Sequence, residues 1–352
     1  GGGHVEDGKK QSVFKRLSKL FKSCTRFVND NCQSTKCSKE FLQKLLTIIE
    51  DSCLVNAGCG SNLTEKGFKE LECVAADLDL YFSIIKCRIL KNPSELALKL
   101  LKKRFTCDCE GRIVPVILTG DCIRRNCEEL NIGLLDENNT NLSDNVELNL
   151  SSTSDTIGVI LVQDDAKLIL VNSSGGSNCK ISGRIGSSPI NGAGFYIGKL
   201  ECPDYCEDDG DDGDDLNIAI VCSGKGEQIL VLTLSYEVYD QIRFNFMTQP
   251  LPDILENVLN RCQRKLSKIG DSDELEIAFI VVISQLKGNG KVQIETCFVN
   301  TTQVFPAGII AKRGDNRIYN LFLENDIGKN KKSISDVNKK MQFRIYSETF
   351  IL

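Results

Sequence analysis

The sequence predicts an α+β protein of two domains: a cysteine-rich helical N-terminal domain, then a mostly antiparallel β-sandwich or jelly-roll-like domain with one amphipathic helix. Three observations predict it. Apolar residues recur every three or four positions up to about residue 130, and every second position beyond about residue 145. Between Asp136 and Asp144 the chain reads Asp-Glu-Asn-Asn-Thr-Asn-Leu-Ser-Asp, which has no periodicity and cannot bury itself. Eleven of the seventeen cysteines lie between Cys24 and Cys127. The expected organisation is a flexible N-terminus over 1–8, a helical domain over 9–135, a polar linker over 136–144, and a β-rich domain over 145–352 with a helix near 253–269.

In the first part, Phe14, Leu17, Leu20, Phe21, Cys24 and Val28 form one helical stripe. Phe41, Leu42, Leu45, Leu46 and Ile49 form a second, after the N-cap candidate Ser38. Thr64 is positioned to cap a third helix carrying Phe68, Leu71, Ala75, Leu78, Phe82 and Ile85, and Pro93-Ser94 opens a fourth with Leu96, Leu100 and Leu101 inward. Beyond the linker, Val146, Leu148 and Leu150 alternate. Short strands follow at 157–162, 167–171, 180–185, 195–200, 216–222 and 228–236. Pro252 begins a helix whose apolar face is Ile254, Leu255, Val258, Leu259, Cys262, Leu266 and Ile269, and Gly270 ends it. Asn289-Gly290 is a two-residue hairpin turn pairing 275–286 with 291–299. Strands at 304–311 and 317–323 precede a lysine-rich polar stretch over 325–340 and a last strand from 342.

The cysteine placement has three readings: a disulfide framework, unpaired intracellular thiols and a metal site. A disulfide framework would staple a small helical unit and implies an oxidising compartment, so an extracellular, cell-surface or virion location is expected, with a cytoplasmic one as alternative. Metal binding competes through the spacings Cys32/Cys37 and Cys122/Cys127, but without a C-x2-C pair or a nearby histidine. N-glycosylation acceptors stand at Asn62, Asn138, Asn141, Asn149, Asn172 and Asn300. With methionine only at Met247 and Met341, the opening Gly1-Gly2-Gly3 resembles the processed terminus of a longer precursor.

Charge singles out three segments. The overall charge of −5 gives no global attraction to nucleic acid or anionic lipid. Locally, Lys15, Arg16, Lys19, Lys22 and Arg26 accompany an apolar stripe within 9–26. That pattern suits either a helix docked on its own core or one lying on anionic membrane or RNA. Glu207 to Asp215 holds seven carboxylates, of which Asp208, Asp209, Asp211, Asp212 and Asp214 are candidate calcium ligands, although EF-hand spacing is missing and a solvated loop explains them as well. Arg313-Gly314-Asp315 reads as a turn, or as an adhesion tripeptide.

Catalytic signatures are sparse. The one histidine is His4, so histidine-based triads and dyads have little to work with. Gly192-Ala193-Gly194 lacks the third glycine and the βαβ setting of a dinucleotide site. By elimination, the expected function is non-enzymatic: a structural or macromolecular-interaction protein, secreted, surface or virion-associated, with protein partners or self-association and no small-molecule substrate. Two alternatives stay open. One is an intracellular viral polyprotein-derived factor that binds membrane or RNA through 9–26, and the other a hydrolase without a recognisable motif.

Overall fold

The computed structural model describes residues 7–31, 39–103, 115–135, 156–200, 216–270, 274–302, 305–313, 316–322, 331–336 and 339–351. In chain order the elements are α1 (Asp7–Asn31), α2 (Lys39–Glu50), β1 (Leu71–Asp77), β2 (Tyr81–Cys87), α3 (Pro93–Lys103), β3 (Ile117–Leu118), α4 (Asp121–Glu129), β4 (Ile157–Val162), β5 (Leu168–Ser174) and β6 (Phe195–Lys199). There follow β7 (Leu216–Gly224), α5 (Gly226–Leu232), α6 (Leu234–Asn245), α7 (Leu251–Lys268), β8 (Ile277–Leu286), β9 (Val292–Asn300), β10 (Ala307–Arg313), β11 (Asn316–Phe322), β12 (Lys331–Asp336) and β13 (Lys339–Ile351).

Two sheets carry the fold. One has the order β3-β2-β1-β5-β4 and the other β12-β13-β9-β8-β7-β6, while β10 and β11 form a separate hairpin. All pairings are antiparallel except β2 with β3. Strand alternation then sorts the side chains into layers. Val74, Ala76, Leu168 and Leu170 of the first sheet meet Phe195, Ala219, Val221 and Val282 of the second. On its other face the first sheet presents Cys73, Ala75, Ile169 and Val171 to α2, α3 and α4. The second presents Ile218, Ile220, Phe279 and Val281 to α5, α6 and α7. The result is four layers, helices on sheet on sheet on helices, because central strands such as β1, β5 and β7 are buried on both faces and each face needs a cover. Phe195, fully buried between the sheets and edge-on to Tyr81, is expected to cost about 3–5 kcal/mol when replaced by Ala, read as a shift in the urea midpoint.

The α+β class holds, but the division into a helical domain and a jelly roll does not. β1, from the segment expected to be helical, pairs along its length with β5 from beyond the linker, so both segments build one sheet. The expected third helix is the β1–β2 hairpin. Its spacing resembles a helix because β1 is buried on both faces and has no polar side to mark a period of two. The opposite error occurs at 228–236: Gln228, Ile229, Leu232, Leu234, Ser235, Val238 and Tyr239 are buried on α5 and α6, although their β-branched and aromatic content suits a strand. Residues 180–185 form turns rather than a strand, and 331–336 form a strand within the stretch expected to be polar coil. By contrast α2, α3, α7 and the β8–β9 hairpin lie close to their expected bounds, with Gly290 at φ +74° in the turn and its N–H donating to Lys287 O.

Among the described residues the expected disulfide framework does not form. The eleven described cysteines are free thiols, and Cys24, Cys73, Cys87, Cys127, Cys222, Cys262 and Cys297 are buried as small apolar groups. A chain with two helix-covered sheets has core enough without staples.

Candidate active site

The polar residues that converge lie at one end of the interface between the sheets. β4 begins just after Thr156 and β5 ends at Ser174, and antiparallel pairing brings these two ends together. The Thr156 and Ser174 hydroxyls are 3.0 Å apart. Alternation aims both toward the second sheet, where Gly158 leaves room for Val221: a Cβ at Gly158 would lie 2.6 Å from its Cγ2. After Ser174 the chain turns through Gly175 and Gly176, whose N–H donates back to the Ser174 hydroxyl over 3.0 Å. Gly175 admits no side chain, since a Cβ there would sit 2.4 Å from Asn56 Oδ1.

Asn56 and Asn62 hold this turn from the first half of the chain. Gly175 N–H donates to Asn56 O (2.8 Å), and both side-chain amides donate to Gly176 O, at 2.7 and 2.8 Å. On its other side Gly176 faces the Lys180 and Arg184 side chains. Arg184, mostly buried, directs Nε and Nη2 at Glu227 Oε1 at the start of α5, 2.7 and 2.6 Å away. Burial pushes the Glu227 carboxyl up, but the Arg184 hydrogen bonds outweigh it and hold the group below the usual range.

The loop bearing Arg184 is pinned by two acids from the edge of β1. Glu70 accepts from Ser182 Oγ (2.8 Å), the Gly183 N–H (3.1 Å) and the Arg88 guanidinium. Glu72, fully buried, accepts from the Gly186 N–H at 2.7 Å. Lys180 Nζ donates to Glu70 O at 2.6 Å, and burial lowers the lysine's pKa. On the helix side of β5, Glu50 is fully buried and accepts from the hydroxyls of Ser94 and Ser173, each at 2.7 Å.

Burial pushes the Glu50 carboxyl up to about 7 despite those hydrogen bonds. A carboxyl whose folded pKa exceeds its unfolded value contributes stability that is complete below the unfolded value and is lost as pH rises through the folded one. Stability is therefore expected to fall by on the order of 3 kcal/mol between about pH 4 and pH 8 through this group. Glu50→Gln should remove that part of the slope in urea titrations run across the range.

Residues singled out in the sequence lie elsewhere. Lys15, Arg16, Lys19, Lys22 and Arg26 are exposed on α1, whose Leu17 and Leu20 pack with Ile49, Val55, Ala57 and Ile157. Asn172 and Asn300 are buried. Asn172 Nδ2 donates to Gly194 O and Asn300 Nδ2 to Thr302 O, so neither side chain is free to receive a glycan in the folded protein, and that of Asn62 is committed to Gly176. Asn138, Asn141 and Asn149, the acidic residues Asp208, Asp209, Asp211, Asp212 and Asp214, and Gly314-Asp315 lie outside the described residues, while Arg313 ends β10. Among the described residues no three His, Cys, Asp or Glu side chains gather as a metal site. Gly192 to Gly194 docks α6, whose Ser235 and Tyr236 N–H groups donate to Ala193 O and Gly192 O.

Residues 125–272, somewhat under half of the chain, match the sequence model of the family described as Asparaginase. That span includes Thr156, Ser174, Gly175, Gly176, Arg184 and Glu227. The chain is 24% identical over 207 residues to an isoaspartyl peptidase/L-asparaginase of Xenopus laevis, covering 55% of this chain and 59% of that protein. It is 25% identical over 225 residues to a plant-type L-asparaginase of Pyrococcus furiosus, covering 59% of this chain and 67% of that protein. These similarities overturn the expectation of a non-enzymatic structural protein without a small-molecule substrate. They point to a hydrolase, the reading the sequence analysis held only as an alternative.

Sequence reasoning passed over Thr156, Ser174 and Arg184. The periodicity assigns no role to Ser173-Ser174-Gly175-Gly176 and places Arg184 in the strand expected over 180–185. A usable signal existed: with one histidine in the chain, a hydroxyl nucleophile needs another base, and a threonine opening a strand after a long polar segment is a candidate to use its own amine.

Proposed function

We propose that this chain is an amidohydrolase whose nucleophile is the Thr156 hydroxyl, freed by cleavage of the Asp155–Thr156 peptide bond. The observation that carries this reading is the Thr156–Ser174 hydroxyl contact, set beside a glycine turn and a half-buried arginine within the region similar to asparaginases. Hydrolysis of that bond leaves a carboxylate on Asp155 and an α-amine on Thr156. The amine is then the base nearest the hydroxyl in covalent terms, which makes histidine unnecessary.

In the reaction, Thr156 Oγ1 attacks the substrate carbonyl carbon and its proton passes to the α-amine. The C–N bond of the resulting tetrahedral species breaks, and the leaving nitrogen takes that proton. Water, deprotonated by the same amine, then hydrolyses the threonyl ester and restores the hydroxyl. Ser174 orients the nucleophile. Arg184, already bound to a partly exposed carboxylate, is suited to receive the carboxylate of a substrate. The names of the relatives suggest the amide of L-asparagine or an isoaspartyl peptide bond.

The test is mass spectrometry of the purified protein, followed by turnover of L-asparagine and of a β-aspartyl dipeptide. Fragments 1–155 and 156–352 together with release of ammonia or amino acid are expected. An intact chain inactive on both substrates would reject the reading.

A further inference from the structure

Glu50 has no place in the chemistry just described, yet it touches both β5 and the Asn56 loop, which support Ser174. It is the last residue of α2, and its two oxygens take the hydroxyls of Ser94 at the start of α3 and of Ser173 in β5. Because side chains alternate along β5, Ser173 is held from the helix side while its neighbour Ser174 faces Thr156. The loop carrying Asn56 is seated on the same residue: Gly58, at φ +53°, passes so close that a Cβ would lie 2.4 Å from Glu50 O and 2.7 Å from Glu50 Cβ. That loop in turn holds Gly175 and Gly176.

We infer that Glu50 is a positioning residue for hydrolysis, clamping Ser173 and the Asn56 loop so that Ser174 is presented to Thr156. The inference rests on Thr156 being the nucleophile. As a carboxylate, Glu50 accepts both serine hydroxyls. Once protonated it must give a hydrogen to one of them, and the clamp is rearranged. Among the described residues the groups that face it include no cation to offset burial: the thiols of Cys73 on β1 and Cys87 on β2, the serines of α3 and β5, and the adjoining Asp51, itself paired with Lys91 at 3.0 Å. Acidification through neutral pH should therefore loosen the nucleophile's support as well as protonate its amine.

The experiment compares wild type, Glu50→Gln and Ser173→Ala on a β-aspartyl dipeptide across pH. Both variants are expected to lower kcat at least tenfold with KM within about twofold, since misplacing a reacting group costs rate rather than binding. The acidic limb of kcat should lose one of its two ionisations in Glu50→Gln. If Glu50→Gln does not fold, Ser173→Ala, which removes only a hydroxyl, carries the test through its kcat. Wild-type kcat in either variant, or an acidic limb unchanged in Glu50→Gln, overturns the role assigned to Glu50 and leaves the hydrolase reading standing. A wild type that is neither cut nor active removes that reading, and with it this one.

Discussion

Replacing Thr156 by Ala is expected to leave one uncut chain of 39.0 kDa, with kcat on an isoaspartyl or asparaginyl amide reduced on the order of 10⁶-fold. Both losses have one cause, because the same hydroxyl is assigned to attack the Asp155 carbonyl during self-cleavage and the substrate carbonyl afterwards. Thr156→Ser keeps a hydroxyl and should be cut and active, although more slowly. The two variants separate chemistry from folding, since Thr156 is only half-buried and its side chain packs no core. Turnover by Thr156→Ala, or turnover by a wild type whose Thr156 is still joined to Asp155, would show that another group is the nucleophile.

The second large effect is expected at Arg184. Its guanidinium is mostly buried beside Gly176 and is held by Glu227, whose side chain is 60% exposed and can yield to a substrate carboxylate. A charge-assisted, two-pronged hydrogen bond is worth about 1.5–3 kcal/mol. Arg184→Ala should therefore raise KM roughly 10- to 100-fold, with a smaller change in kcat. Lysine should not rescue it, because an ammonium cannot offer two parallel N–H donors to one carboxylate. The check is steady-state kinetics on a substrate with a free α-carboxylate and on its methyl ester. Wild type should prefer the carboxylate and Arg184→Ala should not. Equal preference in both proteins would remove Arg184 from substrate recognition.

Much of the second half of the chain is legible in the sequence. β4, β7, α7 and the β8–β9 hairpin were marked by local signals that act within a few residues: a period of two, a period of 3.6 ended by a glycine, and an Asn-Gly turn. The first half was misread where such signals are silent. A strand such as β1, covered by helices on one face and by a second sheet on the other, shows apolar residues at every spacing, and its choice of strand over helix comes from its pairing with β2 and β5. Cysteine density misled for a related reason: seven of the described thiols fill apolar space, a use that leaves no spacing to read.

The sequence by itself determined the α+β class, the positions of the locally signalled elements, and the single histidine, His4, whose isolation restricts how a nucleophile can be activated. Only the tertiary structure decided that the two segments share a sheet, and hence that Asn56, Glu50, Thr156, Ser174 and Arg184 belong together. Asn56 and Gly176 stand 120 positions apart yet are joined by a 2.7 Å hydrogen bond, and Glu50 reaches Ser173 over 123. Contacts at that range arise from the packing of β1 against β5 and of helices on the sheet, a consequence of burying apolar faces across the whole chain that no local pattern records.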